Sequence, residues 1–340
     1  MYASSPLLIE ALHCRNSGRP PVWLMRQAGR YMPEYRTLRQ KYSLWELFHQ
    51  PELAAQVTLL PIDLLGVDAA ILFSDILVIA EAFGRNVQFV DNKGPVIDIP
   101  IKERADVETL QIGDIHETFA YIESTIKLVK NQLRVPLIGF CGGPFTVASY
   151  MIEPGAKGEL NKTRQWMYTD PNGFHLFLDK IANASIEYLK LQIKAGVHAI
   201  QIFDSWANVL SGAQREQFSI KYLKKMIDAL KPFSIPIILF ARGSSLFPKE
   251  LAAIGPSGIS FDWQKNLCDL RKYVPAHIAV QGNLDPILMN APQHIVKSEV
   301  QKLLDSMQGD PGFIVNLGHG VLPDASVDNV RCLVDTVKNF

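Results

Sequence analysis

"PVWLMRQAGRYMPEYR", residues 21–36, begins with four apolar side chains in succession, Val22, Trp23, Leu24 and Met25. It turns polar within one residue, with Arg26, Gln27, Gly29 and Arg30 and no polar padding between. A run that is apolar on both faces suits a parallel strand covered on each side, not the alternating strand of a half-exposed sheet. The same grammar recurs downstream: "AAILF" before "SD", "VPLIGF" before "CGGPFT", "HAIQIF" before "DSW", "IPIILF" before "ARGSS", "GISF" before "DW", "HIAVQ" before "GNLDP" and "GFIVNL" before "GHG". That makes eight strands, each ending in polar or glycine residues.

Helical periodicity lies between the runs. Phe218, Tyr222, Leu223, Met226, Ile227 and Leu230 recur three or four apart within 213–230, as do Ile295, Val296, Val300, Leu303, Leu304 and Met307 within 292–307. Strands alternating with helices predict a parallel α/β protein. Eight such units favour a single (β/α)8 TIM barrel over residues 1–340 rather than an open doubly wound sheet. Two connections are long. Residues 74–135 hold "VQFVDNKGPVIDI", two alternating runs about Asn-Lys-Gly, which predicts a hairpin insertion after the second strand. Residues 141–197 hold "EPGAKGELNKTRQ", which lacks apolar periodicity and reads as a lid-like segment after the third strand.

The 340 residues are 48% hydrophobic, enough for a large core. Lys plus Arg and Asp plus Glu number 34 each, so bulk charge argues for neither a nucleic-acid nor an anionic-membrane partner. The cysteines, at 14, 141, 268 and 332, are far apart and read as reduced thiols. The N-terminal residues lack a signal-peptide pattern, and no segment reaches the roughly 18 apolar residues of a membrane span. The expectation is a soluble cytoplasmic protein.

A parallel barrel carries its working groups at the C-terminal ends of its strands. Those ends supply Arg26, Gln27 and Arg30, then Ser74 and Asp75, then Thr146 and Tyr150, then Asp204 and Ser205, Arg242 and His319. Paired arginines at a barrel mouth can grip carboxylates or phosphates through paired hydrogen bonds. Plainer readings stand beside these. One arginine could pair with Asp75, Asp75 could cap the next helix, His319 could be a satisfied turn residue, and Tyr150 could be core. No phosphate loop, GxGxxG, HExxH, Cys/His ligand spacing or GxSxG elbow is present, so no cofactor or metal is expected.

Residues 21–36 resemble the N-terminal signature of the uroporphyrinogen decarboxylase family, and "GFCGGPFTVASYMIE" (139–153) is similar to its second signature. "FSD", "QIFDSWA", "QGNLDP" and "NLGHGVLPD" follow in family order, so the resemblance spans essentially the whole chain. It implies a cofactor-free (β/α)8 barrel, usually a homodimer, that removes the four acetate carboxyls of uroporphyrinogen III to give coproporphyrinogen III. It makes Arg26, Gln27 and Arg30 carboxylate ligands, with Ala28 and Gly29 in the same substrate-binding run. Asp75 becomes the catalytic residue that binds the central pyrrole NH groups, and Tyr150, Ser205 and His319 become further substrate contacts. The chain departs from the pattern in its lid, "EPGAKGELNKTR", and in "ARGSS" and "GISFDWQKN". Zinc- and corrinoid-linked methyltransferases share this barrel but need a His-x-Cys site, whereas Gly320 and Val321 follow His319 here.

Overall fold

The computed structural model describes residues 6–90, 94–155 and 158–340. Its centre is a curled parallel sheet of seven strands: β1 (Ala70–Ile71), β4 (Leu137–Gly142), β5 (Ala199–Asp204), β6 (Ile237–Ala241), β7 (Gly258–Ser260), β8 (Ala279–Leu284) and β9 (Phe313–Leu317), adjacent in that order. Between β1 and β4, a separate antiparallel pair joins β2 (Val87–Val90) to β3 (Gly94–Ile97), with Val87 opposite Ile97. Asn92 and Lys93, placed in the turn by the sequence, lie outside the described residues.

Seven of the eight apolar runs are strands; the first is not. Within 21–25 only Val22 makes a ladder bridge, to Val315 of β9. The reason is the fate of its N–H groups. Pro20 and Pro21 have none. Val22 N donates to Asp68 Oδ2 (2.8 Å), Leu24 N to Gln27 Oε1 (3.0 Å) and Met25 N to Asn316 Oδ1 (3.2 Å). Side chains therefore take the donors that a ladder would use. The stretch still spans the gap between the edge strands: Trp23 N donates to Val315 O, Val315 N to Pro21 O, and Asp68 N, just before β1, to Val22 O.

Inside the curl, Trp23, Met25, Ala69, Ile138, Ala199, Ile238, Phe240, Ala279 and Ile314 form one buried cluster. The first helix, Leu7–Leu12, closes its lower end with Leu8, Ala11 and Leu12. Burying each large apolar side chain stabilises by about 1.5–3 kcal/mol. One polar chain crosses this interior. Trp23 Nε1 donates to Gln281 Oε1 (2.9 Å), and Gln281 Nε2 donates to Ser260 Oγ (3.0 Å), all with no exposure.

Outside, helices cover the sheet. The stretch 213–230 is continuous helix, including a wider turn at Glu216–Ile220, and 292–307 contains the helix Gln293–Ser306. The segment expected to lack structure is partly helical. Asn161–Thr169 is a helix whose early N–H at Thr163 is received by Glu153 Oε1 (2.7 Å). A distant carboxylate supplies this cap, so local periodicity does not show it. All four cysteines are free.

Candidate active site

The C-terminal ends of the seven parallel strands lie at the same end of the sheet, and the first group there is set by a strained turn. Arg26 has φ +59°, a left-handed conformation uncommon for a residue with a Cβ. The turn is held from several sides. Gln27 N donates to Leu24 O (3.0 Å), Tyr31 Oη to Gln27 O (2.6 Å), and Val321 N to Met25 O (2.9 Å). Gln27 is buried, and its side chain bridges Leu24 N and Ala69 O, so its amide fastens the turn from beneath. Ala28 and Gly29 are half-buried beside it. Arg26 and Arg30 are exposed, and neither guanidinium has a hydrogen-bond or ion-pair partner among the described residues.

The Arg26 side chain runs over Gly320. A Cβ on that residue would sit 2.5 Å from Arg26 Cδ and 2.8 Å from Cγ. On the other side of His319, a Cβ on Gly318 would sit 2.6 Å from Trp263 N. The "GHG" sequence thus has a steric cause on each flank: one glycine lets the chain cross the turn after β7, the other makes room for an arginine. His319 between them is half-buried, with its ring edge-on to Phe240 at 5.6 Å. Burial, together with the positive charges of Arg26 and Arg242, pulls its pKa down to about 4. It is a neutral imidazole at physiological pH.

Asp75 follows the end of the β1 run, where Leu72 N donates to Ile138 O and Phe73 N to Thr58 Oγ1. Its Oδ1 accepts from Leu77 N (2.8 Å) and caps the 3-10 helix Ile76–Phe83. The capping reading and the site reading therefore hold together. One oxygen fixes the helix start, and no described residue uses the other. Burial pushes the carboxyl above its usual range; the Leu77 N–H and the Arg26 charge oppose that shift. No ion pair joins Asp75 to either arginine among the described residues, although the Arg26 field reaches it.

Asp204 differs. Its Oδ1 accepts from Thr146 N (3.2 Å) and Thr146 Oγ1 (2.5 Å), and Oδ2 accepts from Ser219 Oγ. Both oxygens are spent on scaffold. Thr146 Oγ1 in turn accepts from Trp206 N (3.0 Å), so this buried carboxylate clamps the helix Pro144–Ile152 to the residues after β5. Tyr150, on that helix, and Ser205 are half-buried at the rim. The Tyr150 ring lies 6.2 Å from Trp206, and burial pushes its hydroxyl pKa up, with Asp75 raising it further and Arg26 lowering it. Asp75, Arg26, Tyr150, His319 and Arg242 thus share one electrostatic neighbourhood.

Reading the sequence missed the supports: Ser219 beneath Asp204, Trp206 beside Tyr150, and Tyr188, whose hydroxyl pKa is pushed up chiefly by burial, with Glu81 and Asp75 adding to the shift. Ser219 lies one helix away from the strand it serves and carries no local signal. Trp206 stands directly after the strand-end residues already singled out, which is a usable one. Among the described residues no group of three or more His, Cys, Asp or Glu side chains is arranged to hold a metal.

This geometry can be set beside known proteins. Residues 3–340 match the family profile described as uroporphyrinogen decarboxylase (URO-D). The chain is 54% identical to the uroporphyrinogen decarboxylase of Protochlamydia amoebophila (strain UWE25), covering 97% of this chain and 91% of that protein. It is 44% identical to that of Geobacter metallireducens, covering 95% of each. Among solved structures, a methyltransferase from Methanosarcina mazei superposes with a TM-score of 0.82, over 98% of both chains at 21% identity. That likeness concerns fold alone.

Proposed function

The chain belongs to the uroporphyrinogen decarboxylase family, and from that premise we propose that it removes the four acetate carboxyls of uroporphyrinogen III, giving coproporphyrinogen III and CO2. The observation that carries the reading is one rim where Asp75, one of whose oxygens no described residue uses, lies in the field of Arg26, whose guanidinium has no acceptor among the described residues. An acetate on a pyrrole has no carbonyl to take up the electrons left by CO2. Protonation at the ring carbon turns the pyrrole into a cationic electron sink; after CO2 leaves, the exocyclic methylene is protonated to a methyl and the ring carbon gives up its added proton, which restores the aromatic pyrrole, so each step consumes one proton net. The reaction needs an anion beneath the ring and cations around its edge.

Asp75 is suited to be that anion, since converging pyrrole NH groups can share its free oxygen. Opposite charges about 4 Å apart interact by roughly 4 kcal/mol at an effective dielectric near 20. Arg26 and Arg30 hold substrate carboxylates, with the Gln27–Gly29 backbone framing them. Tyr150, Ser205 and neutral His319 offer further polar contacts. The pyrrole supplies its own electron sink, so the reading requires no cofactor. The stretch 21–25 acts as the eighth stave of a (β/α)8 barrel, and the lid-like segment after the third apolar run, in whose described part Glu153 holds Thr163, acts as its lid. We read the protein as a cytoplasmic homodimer; sedimentation showing a fully active monomer at micromolar concentration would remove the dimer.

A zinc- and corrinoid-linked methyltransferase on the same fold is the alternative, and Gly320 and Val321, which stand after His319 where such a site needs His-x-Cys, disfavour it. The deciding experiment is an anaerobic incubation with uroporphyrinogen III, with chromatography of the products before and after dialysis against chelator. Stepwise loss of four carboxyls, unchanged by dialysis, supports the reading. No turnover, or activity restored only by zinc, overturns it.

A further inference from the structure

We propose that Arg242 is a third carboxylate-binding arginine, opposite Arg26, and that it grips a carboxylate retained in the product rather than one that reacts. The inference rests on the decarboxylase reading and names a contact within the same site. Arg242 is the first residue after β6, and its N–H donates to Asp204 O (3.2 Å), which fixes it level with the end of β5. Gly243, at φ +82°, then turns the chain away. The two serines that follow are buried and anchored: Asp262 N donates to Ser244 Oγ (3.0 Å), and Ser245 Oγ donates to Asp262 Oδ1 (2.5 Å). The loop is thus pinned down behind Arg242, while the Arg242 side chain stays exposed with no partner among the described residues.

Its direction follows from the strand. Side chains two residues apart share a face, so Arg242 rises on the side of Phe240, which belongs to the interior cluster and meets the His319 ring. Its place around the rim follows from the sheet order. From the 21–25 stretch, β6 is reached through β1, β4 and β5 one way and through β9, β8 and β7 the other. Arg242 is therefore diametrically across the mouth from Arg26. A macrocycle with carboxylates around its periphery can span that distance. The acetate being lost must lie over Asp75, beside Arg26; the far arginine is left for a group that stays.

The test compares wild type, Arg242→Gln and Arg242→Lys on the octacarboxylate substrate and on the pentacarboxylate intermediate, which has one acetate left. Wild-type turnover of both secures the underlying reading; its absence would refute that reading without bearing on Arg242. With turnover secured, Arg242→Gln is expected to raise KM about 10- to 100-fold, equally for both substrates. Its kcat should stay within a few-fold, and Arg242→Lys should recover part of the loss. Thermal melts of an exposed substitution should match wild type. Wild-type KM on both substrates would overturn the proposal, as would a rise confined to the octacarboxylate.

Discussion

At the lower end of the sheet Arg19 meets Asp68 through two bonds of 2.7 Å, and Arg271 meets Asp310 at 2.6 Å. At the upper end Arg26, Arg30 and Arg242 have no acceptor among the described residues. The residue type is the same, but the assignment of charge is opposite. Below, each guanidinium neutralises a carboxylate in the loop before a strand and so fixes where that strand starts. Above, the carboxylates are diverted: Asp204 is consumed by Thr146 and Ser219, and one Asp75 oxygen by a helix start. What remains is exposed positive charge with no acceptor among the described residues. Paired and unpaired charges thus lie at opposite ends of the same strands, the division that the proposed function would call for.

The comparison is broken most severely at Asp75. Asp75→Asn keeps the cap, since asparagine caps as well as aspartate, but removes the negative charge. Turnover of uroporphyrinogen should fall about 100- to 1000-fold with an unchanged melting temperature. A variant within a few-fold of wild type would show that the charge is dispensable. Next comes Arg30→Ala, which removes a charge-assisted bond and should raise KM about 10- to 100-fold with stability unaltered. Normal kinetics on all four steps would make the arginine structural.

Gly320→Ala sharpens the contrast without deleting any functional group. The new methyl meets the flexible shaft of Arg26 rather than backbone. Urea midpoints should hardly move, while kcat/KM should drop about tenfold through misplacement of the guanidinium. Unchanged kinetics would mean that Arg26 acts from another position. At the lower end the pattern should invert. Asp68→Asn should cost about 1.5–3 kcal/mol in urea unfolding, with KM of the folded fraction unchanged; a KM effect equal to that of Arg30→Ala would erase the division between the ends.

The smallest effect concerns pH. His319 has its folded pKa lowered to about 4, against an ordinary value near 6.5. Between those values the unfolded chain binds more protons than the folded one, so stability rises with pH there. This contribution is present above about pH 6.5 and is lost as pH falls towards 4. His319→Asn should flatten the wild-type slope in that window; parallel slopes would show that the imidazole is not held neutral.

The sheet was legible because parallel strands buried on both faces leave continuous apolar runs. The exception, 21–25, reads as a strand because its apolar pattern is complete; its ladder fails through proline and side-chain acceptors at Asp68, Gln27 and Asn316, which no local pattern reveals. Arg26, Asp75, Ser205, Arg242 and His319 could be singled out because each follows an apolar run, whereas Tyr150 lies inside the helix Pro144–Ile152. The supports could not be: Ser219, and Glu153 in its bonds to Thr163, act across chain separations that only the fold brings together. The sequence shows glycines on both sides of His319 but not that their Cβ positions are excluded by neighbouring atoms, which only the fold brings close.

The pairing of residues 21–25 with β9 also has a consequence in time. The segment that positions the first arginines leaves the ribosome before Val315, its partner, which is made about 290 residues later. At about 5–20 residues per second, the wait is roughly 15–60 s. Throughout it the apolar run ending at Met25 has no sheet edge to join on that side. The same stretch is therefore exposed to chaperones and to other nascent chains for the whole of that wait.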